Sequence, residues 1–287
     1  MAVLAIPNVS EGTDQALIEG LAGTVRDAGA AVLDIHSDPT HNRSVLTVSG
    51  DTSLVNAMAR LAVHAANTID LSLQRGVHPR LGALDVCPFV PHEGSLDDAV
   101  KMAEAAARAI HEASGIPVYL YGRASRRPQR LELPDLRRGG LEALIDRAAK
   151  GFSPDHGTTI DPRAGVVCVG ARNTLIAFNV NLDGDVAEAR AIARAVRASN
   201  GGFPGVRALG LPLGDKTQVS MNLVDPDETG IDRAFSAVEK EANELGVEIV
   251  STELVGLVPE RYLPHPDAKA ARLLVEPGRS LEAALKR

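Results

Sequence analysis

The sequence predicts an α+β protein made of two similar α/β sandwiches of the ferredoxin-like, split βαβ kind, with mixed sheets and helices on one face. Three observations carry that reading. In the first half, apolar runs and 3.6-periodic segments alternate as strand, helix, strand, strand, helix, strand, followed by an added helix and strand. The same order returns from about residue 175. Wording recurs as well: Asn8-Val9-Ser10-Glu11-Gly12 follows the first strand, and Asn179-Val180-Asn181-Leu182-Asp183-Gly184 follows its counterpart. Two domains are expected, 1–170 and 171–287, joined between about 150 and 170, with a ligand cleft between the halves.

Taken in order, residues 3–6 read as a short strand and 7–12 as a loop. From about Thr13 a helix lines up Leu17, Ile18, Leu21 and Val25, and Gly29 ends it. Strands follow at 31–35 and 44–48, with a polar loop from His36 to Arg43 between them. A second helix opens after Gly50-Asp51 and aligns Leu54, Val55, Met58, Leu61, Ala62 and Ala65. A buried strand then carries Val86, Cys87, Phe89 and Val90. Ser95 and Asp98 form a capping-box start for a third helix, whose core face is Val100, Ala103, Ala107 and Ile110. A strand at 116–121 leads into an arginine-rich loop. In the second half, extended segments at 175–180, 206–211, 218–223 and 247–257 alternate with helices beginning at Asp185 and near Glu228. A short helix at 280–287 closes the pattern.

Composition bounds the function. Of 287 residues, 45% are apolar and 23% charged, which suits a globular chain with room for two cores. Aromatics are only 3%, so Ala, Leu, Val and Ile must build the interior. A net charge of -7 argues against nucleic acid or an acidic membrane as partner. No apolar run approaches the roughly 20 residues of a membrane helix, and the N-terminus lacks a basic and apolar leader. Cys87 and Cys168 sit in apolar runs without metal-ligand spacing, the pattern of free thiols in a reducing compartment. The cytoplasm is the expected location. Small-molecule substrates are the expected partners, with a homodimer as the self-assembly considered.

The chain is organised around Gly76-Val77-His78-Pro79-Arg80-Leu81-Gly82, just ahead of the buried strand. Pro79 pushes His78 into extended backbone, and the two glycines permit tight turns or close ligand approach. An imidazole on stiff backbone beside a rigid strand suits proton transfer near neutral pH. Arg80 offers an anion clamp, Arg43 a second, and Asp85 an orienter for the imidazole. A turn histidine and a strand-end carboxylate bonded to local backbone are the plainer readings of His78 and Asp85. Asn8, Ser10, Asn42, Asn179 and Asn181 lie on loops after or between strands, where they face a ligand or cap turns.

The run from His78 through Pro79-Arg80-Leu81-Gly82-Ala83-Leu84-Asp85-Val86-Cys87-Pro88 to Phe89 resembles the signature of the glutamate formiminotransferases. Matching stretches follow in order: Pro7-Asn8-Val9-Ser10-Glu11-Gly12, Asn42-Arg43-Ser44-Val45, Gly115 to Gly122, Pro154-Asp155, Gly170-Ala171-Arg172, Leu175 to Asn181, Gln218-Val219-Ser220, and Leu254 to Pro259. The resemblance implies transfer of a formimino group from N-formimino-L-glutamate to N5 of tetrahydrofolate, a co-substrate, with no metal. It implies a site between two similar subdomains, with His78 as general acid and base. The family's folate-contacting stretch falls on about 157–165, which includes Gly157 and Thr158. Asp155 is expected to hold the pterin's amidine-like edge, unless Pro154-Asp155-His156-Gly157 is an ordinary turn. His36 joins the substrate set because it stands where mammalian members carry aspartate. Residues 157–163 lack the aromatic of longer members, and the family's last segment is compressed into 260–287.

A competing chemistry is also legible. His36, Asp38 and His41 are closely spaced, and with His78 they could bind zinc or another transition metal for hydrolysis of an amide or amidine. A family member that binds folate without this activity is the third reading. The loop Arg123 to Arg130, with Arg137 and Arg138, is locally basic; it reads as solvated, with attraction of a polyglutamate tail as the alternative. No Gly-x-Gly-x-x-Gly follows a strand, so a nucleotide site is not expected.

Overall fold

Pro7 has no N–H to give a ladder, and it splits the first strand of the computed structural model, which describes residues 3–287, into β1 (Val3–Ala5) and β2 (Asn8–Val9). The expected loop at 7–12 therefore begins with two strand residues. Both pieces lie between the same neighbours, so they act as one interrupted strand. The chain divides into two units, one running to Arg172 and the other from Asn173 to Arg287.

In the first unit, α1 (Gln15–Asp27), β3 (Ala31–Asp38), β4 (Arg43–Ser49), α2 (Ser53–Thr68) and β5 (Leu84–Pro91) complete a βαββαβ motif. Its antiparallel order is β3-β4-β1/β2-β5. Three further elements extend the sheet: α3 (Leu96–Ser114), β6 (Val118–Gly122) and, after α4 (Leu133–Arg137) and α5 (Gly140–Ala149), β7 (Val167–Ala171). β7 inserts between β5 and β6, parallel to both. Because β7 is bonded on both sides, the chain leaves this sheet only after Ala171, later than the join expected at 150–170.

Two cores follow from the alternation along the strands. Leu21, Val25, Leu54, Met58, Leu61, Ala103, Ala107 and Ile110 pack with Leu46, Val48 and Phe89 under α1, α2 and α3. On the opposite face, Leu136 and Leu144 of α4 and α5 cover Leu81, Val86, Tyr119, Tyr121 and Cys168. Helices on one face alone is thus corrected for this unit, since its parallel strands are covered on both sides. Cys87 and Cys168 are buried free thiols in these two separate cores. The Ser95/Asp98 capping box is present at the start of α3.

The second unit is β8 (Ile176–Asp183), α6 (Val186–Val196), β9 (Val206–Leu213), β10 (Lys216–Leu223), α7 (Ile231–Leu245) and β11 (Glu248–Val255), followed by the short helices α8 (Lys269–Arg272) and α9 (Leu281–Leu285). Its sheet order is β11-β8-β10-β9, the split βαβ arrangement again. Every pairing is antiparallel, so the mixed sheet expected here is corrected. Each crossover skips one strand position, and the strand that fills the gap runs the other way. The mixed character of the first sheet comes only from its added strands. Phe178, Val180, Leu182, Val219 and Met221 form the core with α6 and α7. Among the described residues no helix is long and apolar enough to cross a membrane.

Candidate functional site

Four segments of the first unit meet where β5 and β7 begin. Ser10 N–H donates to the Ala83 carbonyl at 2.9 Å, and Ser10 Oγ to the Gly82 carbonyl at 2.7 Å. Val77 N–H reaches the Thr40 carbonyl at 3.2 Å, and Val166 N–H the Leu81 carbonyl at 2.9 Å. Backbone packing at these crossings is tight. A methyl on Gly82 would overlap the Val166 carbonyl, and one on Gly76 would strike the His41 carbonyl and Arg80.

Glu11, buried, ties the segments together. Its Oε1 accepts from the backbone N–H of Gly12, Thr13 and Asp14 and from Thr13 Oγ1, while Oε2 accepts from Gln74 Nε2 at 3.0 Å. Burial alone would raise this carboxyl; the hydrogen bonds from Thr13, Asp14 and Gln74 outweigh it and bring the pKa to about 2. Asn42 closes the network in a left-handed turn (φ 47°), accepting from Gly12 N–H at 2.8 Å and donating to Gln74 Oε1. Asparagine tolerates that conformation better than most residues. Asn42 and Ser10 hold the loops in place, and Asn8 Nδ2 is spent on the Ile6 carbonyl at 3.0 Å.

His78 sits half-buried on this frame. Arg43 Nη1 lies 2.7 Å from His78 Nε2. A guanidinium only donates, so the ring accepts at Nε2 and carries its proton on Nδ1. His41 packs beside it with ring centroids 6.0 Å apart, and its own Nδ1 is 3.2 Å from Asp38 Oδ2. Burial, then the charges of Arg43, Arg137, His41 and Arg80, hold the His78 imidazole well below its usual range, so it is neutral at physiological pH. Arg80 Nη2 donates to the His41 carbonyl at 3.0 Å.

Asp85 does not orient His78. The register between β2 and β5 pairs Asn8 with Val86 and Val9 with Leu84, which leaves Asp85 as the extra residue of a bulge. Its Oδ1 accepts from Leu81 N–H at 2.7 Å and its Oδ2 from Arg137 Nη2. Asp155 is likewise occupied: Oδ2 accepts from Leu120 N–H at 2.8 Å and pairs with Arg130 Nη1 at 2.6 Å, with Arg127 Nε 3.6 Å from Oδ1. Asp155 thereby anchors the segment after β6. The arginine-rich stretch is solvated at Arg123, Arg126, Arg127 and Arg138, as expected, but not at Arg130 and Arg137. Arg130 is fully buried against the faces of Tyr119 and Phe152, and Arg137 is mostly buried.

His36 and Asp38 lie on β3 rather than in a loop, because β3 and β4 stay paired out to Asp38 and Arg43. His36 is buried opposite Val45. Among the described residues no group of three or more His, Cys, Asp or Glu side chains is placed to hold a metal ion. The stretch 157–165 crosses the starting ends of β6, β7 and β5, from the His156–Val118 bridge to the Gly165–Gly82 bridge, and Gly82 lies four residues past His78. Gly157 (φ 76°) packs against His111, and Thr158 is exposed.

In the second unit, Asn179 and Asn181 lie on β8 strand positions rather than loops, on the face away from α6 and α7. Asn179 Nδ2 donates to Glu253 Oε2 and Asn181 Nδ2 to Ser251 Oγ, each at 3.0 Å, and Gln218 Nε2 donates to Asn181 Oδ1 at 2.9 Å. Sequence reasoning brought His41 toward His78 only as a metal ligand, and it missed Glu11, Gln74, Arg137, Gln218 and Glu253. Strict alternation with the core positions of β10 and β11 was the available signal for the last two.

The profile of the formiminotransferase domain, N-terminal subdomain, matches residues 2–172, and that of the formiminotransferase domain matches 177–273. The chain is 40% identical over 269 residues to a glutamate formimidoyltransferase of Streptococcus pyogenes serotype M1, covering 91% of this chain and 90% of that one. It is 41% identical over 274 residues to a protein of the same name from Thermoplasma acidophilum, covering 91% and 89%. A formimidoyltransferase-cyclodeaminase of Sus scrofa is 40% identical over 274 residues; this chain spans about half its length (51%).

Proposed function

This chain belongs to the formiminotransferase family, and from that premise we propose that it is a glutamate formimidoyltransferase, moving the formimino group of N-formimino-L-glutamate to N5 of tetrahydrofolate. The observation that carries the mechanism is the neutral His78 ring with its accepting nitrogen directed at Arg43.

N5 attacks the formimino carbon, forming the N5–C bond. The proton released from N5 passes to His78 Nε2, where the substrate takes the place of the Arg43 donor. His78 then delivers that proton to the departing glutamate nitrogen as the C–N bond breaks, and the ring returns to its neutral form. No oxidant and no covalent enzyme intermediate enters this balance. Positioning of the two substrates against each other supplies a large part of the rate. Tetrahydrofolate is the acceptor substrate, with the 157–165 stretch as its proposed contact. We place the activity in the cytoplasm, consistent with two buried free thiols.

A two-substrate assay tests this. Mixed with N-formimino-L-glutamate and tetrahydrofolate, the wild type is expected to form 5-formimino-tetrahydrofolate and glutamate in equal amounts. His78→Gln is expected to lower kcat by about 10²–10⁴-fold while melting as the wild type does. No product from folded wild type ends the reading, and unchanged turnover in His78→Gln removes the imidazole from the chemistry.

A further inference from the structure

Two cationic side chains near His78 have buried donors that no acceptor among the described residues uses. Arg80 spends Nη2 on the His41 carbonyl, yet its Nη1 is buried without an acceptor. Arg137 spends Nη2 on Asp85, yet its Nε is buried without an acceptor. Arg80 Nη2 meets the carbonyl of His41, whose ring centroid lies 6.0 Å from that of His78, and Arg137 is joined through Asp85 to the N–H of Leu81, three residues past His78.

The Asp85–Arg137 pair is unusual for a purely structural one. A buried arginine–carboxylate pair normally uses two parallel hydrogen bonds. Here Leu81 N–H donates to Asp85 Oδ1, and Arg137 engages Oδ2 through a single nitrogen. A buried donor left unmatched is destabilising. The carboxylate of Asp85, the bulge residue, holds Arg137 at the end of α4 and also binds the N–H of Leu81, three residues past His78. Arg80 comes from the His78 loop itself, one residue past Pro79.

We propose that Arg80 and Arg137 form a carboxylate subsite flanking His78, filled by a carboxylate of the formimino-bearing amino acid. A carboxylate there satisfies both idle donors and offsets the local excess of positive charge. It also fixes the reacting carbon relative to the imidazole through the amino-acid skeleton. The proposal rests on the formimino-transfer reading above, and it adds Arg137 as a specificity residue for the donor.

Isothermal titration with N-formyl-L-glutamate, an unreactive stand-in for the donor, and with 5-formyl-tetrahydrofolate, a stable stand-in for the acceptor, tests it. Arg80→Gln and Arg137→Gln are each expected to weaken N-formyl-L-glutamate about tenfold or more and to leave the folate within about twofold; tenfold corresponds to about 1.4 kcal/mol. Arg137→Lys, which keeps the charge but loses the fork, is expected to fall between wild type and Arg137→Gln. Unchanged N-formyl-L-glutamate binding in Arg137→Gln overturns the subsite, as does failure of the wild type to bind it. Loss of both ligands in Arg137→Lys overturns it too, because Arg137 then serves only to hold Asp85. Selective loss of the folate assigns the pair to the acceptor's carboxylates and also overturns it. Donor binding without transfer by the wild type ends the functional reading while leaving the subsite standing.

Discussion

Arg43 Nη1 donates to His78 Nε2 at 2.7 Å, so the residue proposed as the proton carrier rests with its basic nitrogen covered by a cation. Around the ring stand Arg43 from β4, Arg80 from its own loop, Arg137 from α4 and His41 from the β3–β4 turn, with Asp38 and Asp85 bound to His41 and Arg137. The positive groups oppose protonation of His78, which keeps it ready to accept a proton. The acid limb of kcat/KM is therefore expected below pH 6.5. Arg43→Gln removes one of these charges and raises the imidazole's pKa, so the limb moves to higher pH. A pH profile of kcat/KM for both proteins checks this, and an unmoved limb separates Arg43 from the ionisation.

Glu11 is the acid-sensitive joint of the frame. Its folded pKa of about 2 lies below the ordinary 4.5, so the folded protein binds fewer protons there than the unfolded chain. Its contribution is present above pH 4.5 and is lost as pH falls from about 4.5 toward 2. Glu11→Gln is expected to cost about 2–3 kcal/mol at pH 7, through hydrogen bonds to a buried charge. Urea titrations at pH 7 and pH 3 check it: the gap between wild type and variant narrows at pH 3.

Arg130 has no exposed surface and lies over both Tyr119 and Phe152, 4.7 and 4.5 Å from their ring centroids. Arg130→Met fills similar volume but leaves Asp155 without its main partner. A loss of about 3 kcal/mol is expected. Asp155→Asn in the same background is expected to recover part of it, because no carboxylate then remains to be matched. Denaturant midpoints for the two single variants and the double variant measure that coupling.

Two glycines give opposite expectations. Gly82→Ala puts a methyl into the Val166 carbonyl, where backbone faces backbone, so at least about 2 kcal/mol is lost. Gly23, within α1, has nothing within 4 Å of the added carbon. Gly23→Ala is expected to gain about 0.5–1 kcal/mol from helix propensity. Thermal melts of both variants separate close approach from chain entropy.

What the sequence determined by itself was the order of elements and the composition of the cores. Those follow from short-range periodicity, because the pleat and the helical turn decide which side chains share a face. Leu21, Val25, Leu54, Met58, Val180 and Met221 are buried for that reason. The Ser95/Asp98 cap was legible too, being a contact three residues long. His78 stood out through its proline and glycines.

Only the tertiary structure decided the charge partners. Arg137 and Asp85 are 52 residues apart, and Arg130 and Asp155 are 25 apart. No periodicity links such positions. The insertion of β7 between β5 and β6 brings α4 against the start of β5, and the bulge at Asp85 interrupts the alternation by which its direction would be read. Local patterns are written by backbone geometry, whereas pairing between distant charges depends on sheet order and on one irregular residue, and the arginines around His78 belong to that second kind.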